Sequence, residues 1–367
     1  MKLNSILRIG LAFVGRSLLP VLMVALAAQA QAQAAEKISK DGPKETLTVA
    51  VSGETLIFFP LYVARAAGFF DEEGIKVDWV NVGPSSRQTP AVMGGSADVT
   101  PIALFHMLHA EKRGLKLVAV SNLFGDPALQ LTLTNDAVKK TGITPSMPLK
   151  EKLERLKGLT IGTSAPGSGT ETMFRKMFAA RGIDVDKWVQ LKPVGGAAPS
   201  LAAFEQGLVE GVVYPAPVPE IIEDKGIGVT VIDGFKEKID EVDGVPFLVL
   251  ATSRDTLKKK PMLMEGTVRA LAKAMSYTKQ HPEKMEALLR PYFTNVDERI
   301  FKSMVLAYAG ASAATPLITA ENVEKTAKWL SIGANEPFEV QYEAIVSPEP
   351  AKSIVAALSS GSPGAIK

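Results

Sequence analysis

LKGLTIGTSAPGSGTETMFR, residues 156–175, is the stretch from which the fold can be read. It falls into three segments. Residues 159–161 are a short apolar run suited to a buried strand. Residues 162–169 are a loop of Gly, Ser, Thr, Ala and Pro with no large apolar side chain. Met173, Phe174, Met177 and Phe178 then recur at the spacing of one helix face. Small residues let a ligand approach the backbone closely. The unpaired N–H groups at the start of the following helix favour negative or polar oxygen atoms. An ordinary strand-to-helix turn with a Ser/Thr cap has the same local pattern. What separates the two readings is that the chain makes this turn twice.

The first half runs in the same order. Residues 47–51 are a β-like run, followed by the polar loop Ser52-Gly53-Glu54-Thr55. A helix over 59–70 has Gly68 near its end, and a strand over 75–82 breaks at Gly83-Pro84-Ser85-Ser86. A short helix over 89–93 ends at Gly94-Gly95. Ala97-Asp98-Val99 enters a strand stopped by Pro101, and a helix over 105–113 and a strand over 116–121 follow. In the second half, residues 182–189 parallel residues 74–80, and Gly195-Gly196 matches Gly83-Pro84. A helix over 200–206 ends at Gly207, and residues 210–215 match 98–101. Parallel βαβ units have one hand, so each half reads as a small open α/β sheet. Ligands collect beyond the carboxyl ends of such strands. Two similar lobes facing each other would bring both sets of loops into one cleft.

The remainder is read as connections and packing. Residues 128–134 and 245–251 are apolar and β-branched and are assigned as crossover strands. Residues 138–155 are a polar approach to the second lobe. Amphipathic helices are expected over 262–280, 282–290, 298–309 and 319–332. The division is residues 46–129 plus 246–346 for lobe one and 136–235 for lobe two, with hinges at 130–135 and 236–245. Residues 347–367 are rich in Ser, Pro, Ala and Gly and are expected to be poorly ordered beyond a short helix at 352–357.

Residues 1–34 stand apart. Lys2, Arg8 and Arg16 precede an apolar run over 18–28, and residues 28–34 hold overlapping A-x-A sites. This is the pattern of a cleaved secretory leader. The run is shorter than the ~20 apolar residues of a membrane anchor. Cleavage is expected after Ala34, with Ala32 and Ala30 as alternatives, which places the mature chain in the periplasm. Loss of the three leader cations takes the formal charge from +2 to −1. That balance has no electrostatic footprint for nucleic acid. With no cysteine, the chain has no disulfide framework, thiolate nucleophile or Cys-type zinc site.

With these residues in view, the chain resembles periplasmic binding proteins of the nitrate/sulfonate/taurine type, whose relatives include proteins for thiamine-pyrimidine precursors. The resemblance rests on the first strand and loop, the run PLYVARAAGFFDEEGI (60–75), GGSADV (94–99) and LKGLTIGTSAPGSGTE (156–171), and covers residues 46–233. It implies a type II fold of two α/β lobes around a ligand cleft, with no cofactor. It further implies delivery of a small solute to an ABC permease and its ATPase, by a chain expected to be a monomer. Carried over by position, the cleft should be lined by Ser52, Gly53, Glu54, Gly83, Ser85, Ser86, Arg87, Thr100, Pro101, Ser121 and Asn122 from lobe one. Ser164, Ser168, Gly169, Thr170, Gly195 and Tyr214 should come from lobe two.

Several sharper signals have two readings. His106 and His109 share a helix face at i, i+3, a spacing that can hold a metal. No carboxylate cluster accompanies them, so a packed or solvated face is favoured. Arg87 reads equally as an anion contact and as a surface cation. Glu54 and Glu171 would favour an amine or ring N–H, but a Glu in a helix's first turn also stabilises the helix. Phe58 and Phe59 are either a flat face for an aromatic or alkyl group or core. The competing function is an enzyme of the thiamine-pyrimidine synthase type. That chemistry, as the resemblance implies it, needs a histidine and a cysteine-rich iron site. This chain has no cysteine and no histidine in the cleft loops.

Overall fold

The structure, a computed structural model, describes residues 45–53, 55–83, 85–125, 129–237, 239, 245–294, 296–334 and 336–359. The leader, Glu54, part of the expected second hinge and the end of the tail lie outside these residues. Ten strands form two five-stranded sheets. The first holds β1 (Glu45–Val51), β2 (Ile75–Asn81), β3 (Val99–Ala103), β4 (Leu117–Phe124) and β10 (Leu248–Ser253) in the order β2-β1-β3-β10-β4. The second holds β5 (Gln130–Thr134), β6 (Thr160–Thr163), β7 (Gln190–Pro193), β8 (Gly211–Val213) and β9 (Gly228–Asp233) in the order β7-β6-β8-β5-β9. The two orders are the same pattern. Three parallel strands stand on one side, and one antiparallel strand is inserted before the last.

The inserted strands are exchanged. β10 follows the whole second lobe in sequence yet pairs antiparallel with β3 and β4 of the first sheet. β5 precedes the second lobe and pairs with β8 and β9. Every residue of β10 is buried, the apolar Leu248–Ala251 and the polar Thr252 and Ser253 alike, which matches its place inside the sheet. This placement corrects the expected hinge at 130–135. Residues 130–134 are sheet, because β5 has neighbours on both edges, Asn135 begins a helix, and the chain crosses between lobes before β5 and again between β9 and β10.

Other expectations change for local reasons. β3 runs through Pro101 instead of stopping there. β1 meets β3 only at Val99, so a residue without an N–H is tolerated further along. β4 extends to Phe124 because β10 pairs alongside it, so Ser121 and Asn122 are inside a strand and not at its end. In the second half, Asp184 caps a helical turn at Val185–Trp188, and β7 starts only at Gln190. The chain beyond residue 347 continues as the helix Glu349–Ser359, because Ala351 and Ile354 are buried in the main core.

C-terminal helices brace both lobes. Pro261–Gln280 packs on lobe one, where Lys273 Nζ reaches Glu72 Oε2 at 2.7 Å and Arg269 reaches Glu73 at 2.9 Å. Glu298–Ala311 places Tyr308 against Phe124 and Phe235, with ring centroids 5.4 and 4.9 Å apart. Ala320–Ser331 sets Trp329 on Phe105, and Lys176 of lobe two donates to Leu330 O and Ile332 O at its end. No described helix is long and apolar enough to cross a membrane.

Close packing in the second sheet makes a directional test possible. A Cβ on Gly228 would lie 2.6 Å from Leu133 O and 2.7 Å from both Ile222 and Phe204, while one on Gly310, at an exposed helix position, meets nothing within 4 Å. Gly228→Ala should therefore lose ~1–3 kcal/mol through overpacking. Gly310→Ala should gain ~0.4–1 kcal/mol through the unfolded state. Denaturant unfolding of the two variants beside the parent chain checks both signs.

Candidate interlobe binding site

The carboxyl ends of the strands of both sheets face one cavity of about 480 Å³. Lobe one contributes Ser52 and Gly53 after β1, Asn81 and Gly83 after β2, Ser85 and Gln88, Pro101–Ala103 of β3, and His106. Lobe two contributes Ser164, Ser168, Gly169 and Thr170 after β6, then Gly196–Ala198 after β7, and Tyr214 and Pro215 after β8. Phe247 and Leu248, entering β10, close the back. Ile57 and Phe58 add apolar surface from the turn that Thr55 caps, its Oγ1 accepting from Ile57 N at 3.4 Å. No Asp, Glu, Lys or Arg is among these described lining residues.

The loop after β6 is held by a chain of polar contacts. Ser168 caps the helix Gly169–Ala179, its Oγ accepting from Glu171 N at 3.4 Å. The buried Glu171 carboxylate turns back to accept from Gly167 N and, at 2.7 Å, from Arg175 Nε. Arg175 in turn pairs with Asp186 at 2.9 Å, and its pKa is raised by the Glu171 and Asp186 carboxylates despite partial burial. Gly167 has φ +73°, a left-handed conformation that a side chain would strain. Its carbonyl oxygen accepts from His106 Nε2 of lobe one at 2.9 Å. Glu171 thus braces the loop and does not face a ligand. A second contact crosses the cleft where Thr55 Oγ1 donates to Ala216 O at 3.4 Å.

Ten of the sequence-read residues come together on this cavity: Ser52, Gly53, Gly83, Ser85, Pro101, Ser164, Ser168, Gly169, Thr170 and Tyr214. The hydroxyls of Ser52, Ser85, Ser164, Thr170 and Tyr214 make no hydrogen bond among the described residues. Burial pushes the Tyr214 phenol up to about 12, which keeps it a donor. Six others lie elsewhere. Ser86 and Arg87 are exposed. Thr100 is fully buried and donates to Ala50 O at 2.9 Å. Ser121 Oγ donates to Asn122 O at 2.8 Å inside β4, and Asn122 N donates to Pro316 O. Gly195 donates to Ser164 O, leaving Gly196 on the cavity.

The sequence reading missed others. Gln88 is buried one position after Arg87 and donates from Nε2 to Pro101 O at 2.9 Å. A single buried polar residue at a helix start carries no stronger sequence signal than the arginine beside it. The cleft loops hold no histidine, as expected, but His106 reaches the cavity from the first turn of the helix Leu104–Lys112. A bond to a carbonyl requires its Nε2 to carry the proton. Burial, with a small push from His109, lowers its pKa from 6.5 to about 4.

His106 should therefore remain neutral through the physiological range. Folded protein binds this proton less readily than unfolded chain, so the histidine's contribution to stability is full above about 6.5 and falls away as pH drops to about 4. An NMR titration should show the His106 ring still neutral at about pH 5. That signal should vanish in His106→Gln.

The family model described as NMT1-like matches residues 40–291. The Bacillus subtilis protein YtlA is 24% identical over 363 residues, covering 96% of this chain and 99% of that protein. A 4-amino-5-hydroxymethyl-2-methylpyrimidine phosphate synthase from Aspergillus parasiticus is 31% identical over 103 residues, 28% of this chain and 27% of the enzyme. The periplasmic aliphatic sulphonate binding protein SsuA from Escherichia coli superposes with a TM-score of 0.58 at 17% identity, covering 77% of this chain and 89% of that one. The last likeness is one of architecture, the periplasmic-binding-protein fold that the two matching sheets already describe. With more than half its length matched, cleft loops included, the chain belongs to the NMT1-like family.

Proposed function

We propose that this chain is the extracytoplasmic solute-binding component of an ABC importer. It takes a small organic solute into the interlobe cavity and presents it to a membrane permease energised by an ATPase. The observation that carries this reading is the cavity itself. Its volume of about 480 Å³ falls in the range of small-molecule sites, and both lobes supply its walls. Both lobes supply unpartnered hydroxyls, and Ile57, Phe58, Ile102, Phe247 and Leu248 provide an apolar body contact. Burying a charge without a partner is costly, and the described lining has no charged side chain. The solute then has an apolar or flat body and a polar head, the head meeting the N-terminus of Gly169–Ala179. The apolar wall favours an organic body, sulfonate- or pyrimidine-like, over bare nitrate, and an anionic head would take the helix N-terminus as its partner. The leader read at residues 1–34 supports a periplasmic location, and the permease and ATPase are the partners that the sequence resemblance implies.

The enzyme reading retains two supports, the partial likeness to the pyrimidine synthase and His106 on the cavity wall. It lacks the cysteines of the iron site that the resemblance calls for.

Two measurements test the proposal. N-terminal sequencing of exported protein should begin near Ala35, and native mass spectrometry should find one small solute per chain. Thr170→Ala should then weaken that solute's binding by ~1 kcal/mol if the head is neutral and ~1.5–3 if charged. These losses are roughly fivefold to a hundredfold in affinity. Ser168→Ala also removes a helix cap, worth ~1 kcal/mol of stability. Unliganded melting curves separate the two effects. Variants that bind normally and only melt earlier would make this loop a capped turn and no more.

A further inference from the structure

Behind the wall formed by Tyr214 and Pro215, two buried polar groups are joined by a single hydrogen bond. Gln130, the first residue of β5, donates from Nε2 to Oε1 of Glu220 at 3.2 Å. Glu220 lies in the helix Val218–Asp224. The other two oxygens, Gln130 Oε1 and Glu220 Oε2, are also buried, and neither has a partner among the described residues. An ionised carboxylate can only accept, so the charged pair leaves two buried acceptors without a protein donor among the described residues. A proton on Glu220 Oε2 makes it a donor to Gln130 Oε1 and removes both deficits at once.

Lys236 feels the charge of this carboxyl but is paired with Asp233, and no cation among the described residues pairs with it. Its own helix brings Glu223, whose Oε1 accepts from Thr230 N at 2.8 Å. β9 brings Asp233, which is paired to Lys236 at 2.8 Å and accepts from Phe235 N at 3.0 Å. The helix Glu298–Ala311 brings the Tyr308 hydroxyl, and its Arg299 is bound to Asp224. On the helix Ala197–Glu205, Glu205 is occupied by Lys225. β5 adds no charged side chain. Burial first, then repulsion from Asp233 and Glu223, pushes the Glu220 carboxyl up to about 7, against the bond from Gln130.

The pair sits where it can set the cleft. Gln130 O accepts from Tyr214 N at 3.1 Å, so one residue ties the strand end to the helix. Ala216 N donates to Tyr308 Oη at 3.2 Å, and Ala216 O accepts from Thr55 of lobe one. Gln130 also follows the first crossover, and Asp233 precedes the second.

We propose that Glu220 is a positioning residue: carrying its proton, it closes a two-hydrogen-bond acid–amide pair with Gln130 that holds residues 214–216 against lobe one, and loss of that proton favours the open cleft. This goes beyond solute binding and rests on the proposed function only for the closure of two lobes. The sign follows from linkage. The closed form binds the proton more tightly than a form in which water reaches the carboxyl, so closure weakens as pH rises toward about 7 and levels off above it.

The absence of native cysteine allows a clean test on the mature chain. Spin labels on Lys76→Cys and Lys187→Cys, both exposed and one on each lobe, report the interlobe distance. Without added solute, the ratio of short to long distances should fall about threefold or more between about pH 5.5 and about pH 8.5. Glu220→Gln keeps a neutral side chain with a donor, so it should hold the short distance at both values. Infrared difference spectra of the unlabelled parent should show a protonated carboxyl lost over the same range, a readout that does not depend on the variant folding. A parent whose distances ignore pH, a Glu220→Gln protein with the parent's pH response, or no titrating carboxyl near 7 would each overturn the assignment. Lobes that move when the co-purified solute is removed but ignore pH would contradict only the role of Glu220. Lobes that never move would contradict the binding-protein reading as well.

Discussion

The exchange of two antiparallel strands is the constraint on which the rest of this structure depends. Each sheet is finished by a strand from across the molecule's midline in sequence: β10 arrives after lobe two to stand between β3 and β4, and β5 arrives before it to stand between β8 and β9. Neither lobe can complete its sheet from one continuous segment. The described strand ends that flank the two crossings are paired, Phe124 with Leu248 in the first sheet and Gln130 with Asp233 in the second, and the strand ends of both sheets face one cavity. The cavity is a consequence of that topology and needs no special loop to create it. The C-terminal helices then limit how far the lobes can separate, through Tyr308 on Phe124 and Phe235 and through Lys176 on the end of Ala320–Ser331.

Within the cavity, the balance of forces favours selection by shape and hydrogen bonding over charge pairing. The described charged groups beside the loop after β6 are spent on building it. Glu171 is committed to Gly167 and Arg175, and Arg175 to Asp186. Left over for a solute are hydroxyls, a helix N-terminus and an apolar back wall. Each neutral hydrogen bond is worth ~1 kcal/mol net, and apolar burial adds ~25 cal/mol per Å² before the costs of ordering. A solute held this way is discriminated by fit. The neutral His106 belongs to this scheme, since its bond to Gly167 O ties the lobes without placing a charge beside the solute.

How much of this was legible before the structure depended on what kind of signal carried it. Loops at Ser52, Gly83, Ser164 and Ser168 were readable because small residues followed an apolar run and preceded a helical one. Thr100, Ser121 and Asn122 were misplaced because a strand's end was judged from local residues, whereas β4 is lengthened and β3 continued by pairing with the distant β10. Phe247 and Leu248 carry no local hint of a cleft, for the same reason. Gln88 was passed over for Arg87 because side-chain direction at a helix start is set by packing and not by composition. His106 and Glu220 were beyond reach for a third reason. Their roles arise from contacts to residues 61 and 90 positions away, and no periodicity announces such pairs.

The central claim is that two lobes joined at paired crossings close on a small solute. The measurement that tests it most directly is small-angle scattering of the mature chain, with its co-purified solute retained and after that solute has been removed by partial unfolding and refolding. The account predicts a smaller radius of gyration with solute bound, returning when the solute is added back. An identical radius in both states, at saturating solute and with binding confirmed by calorimetry, would contradict it.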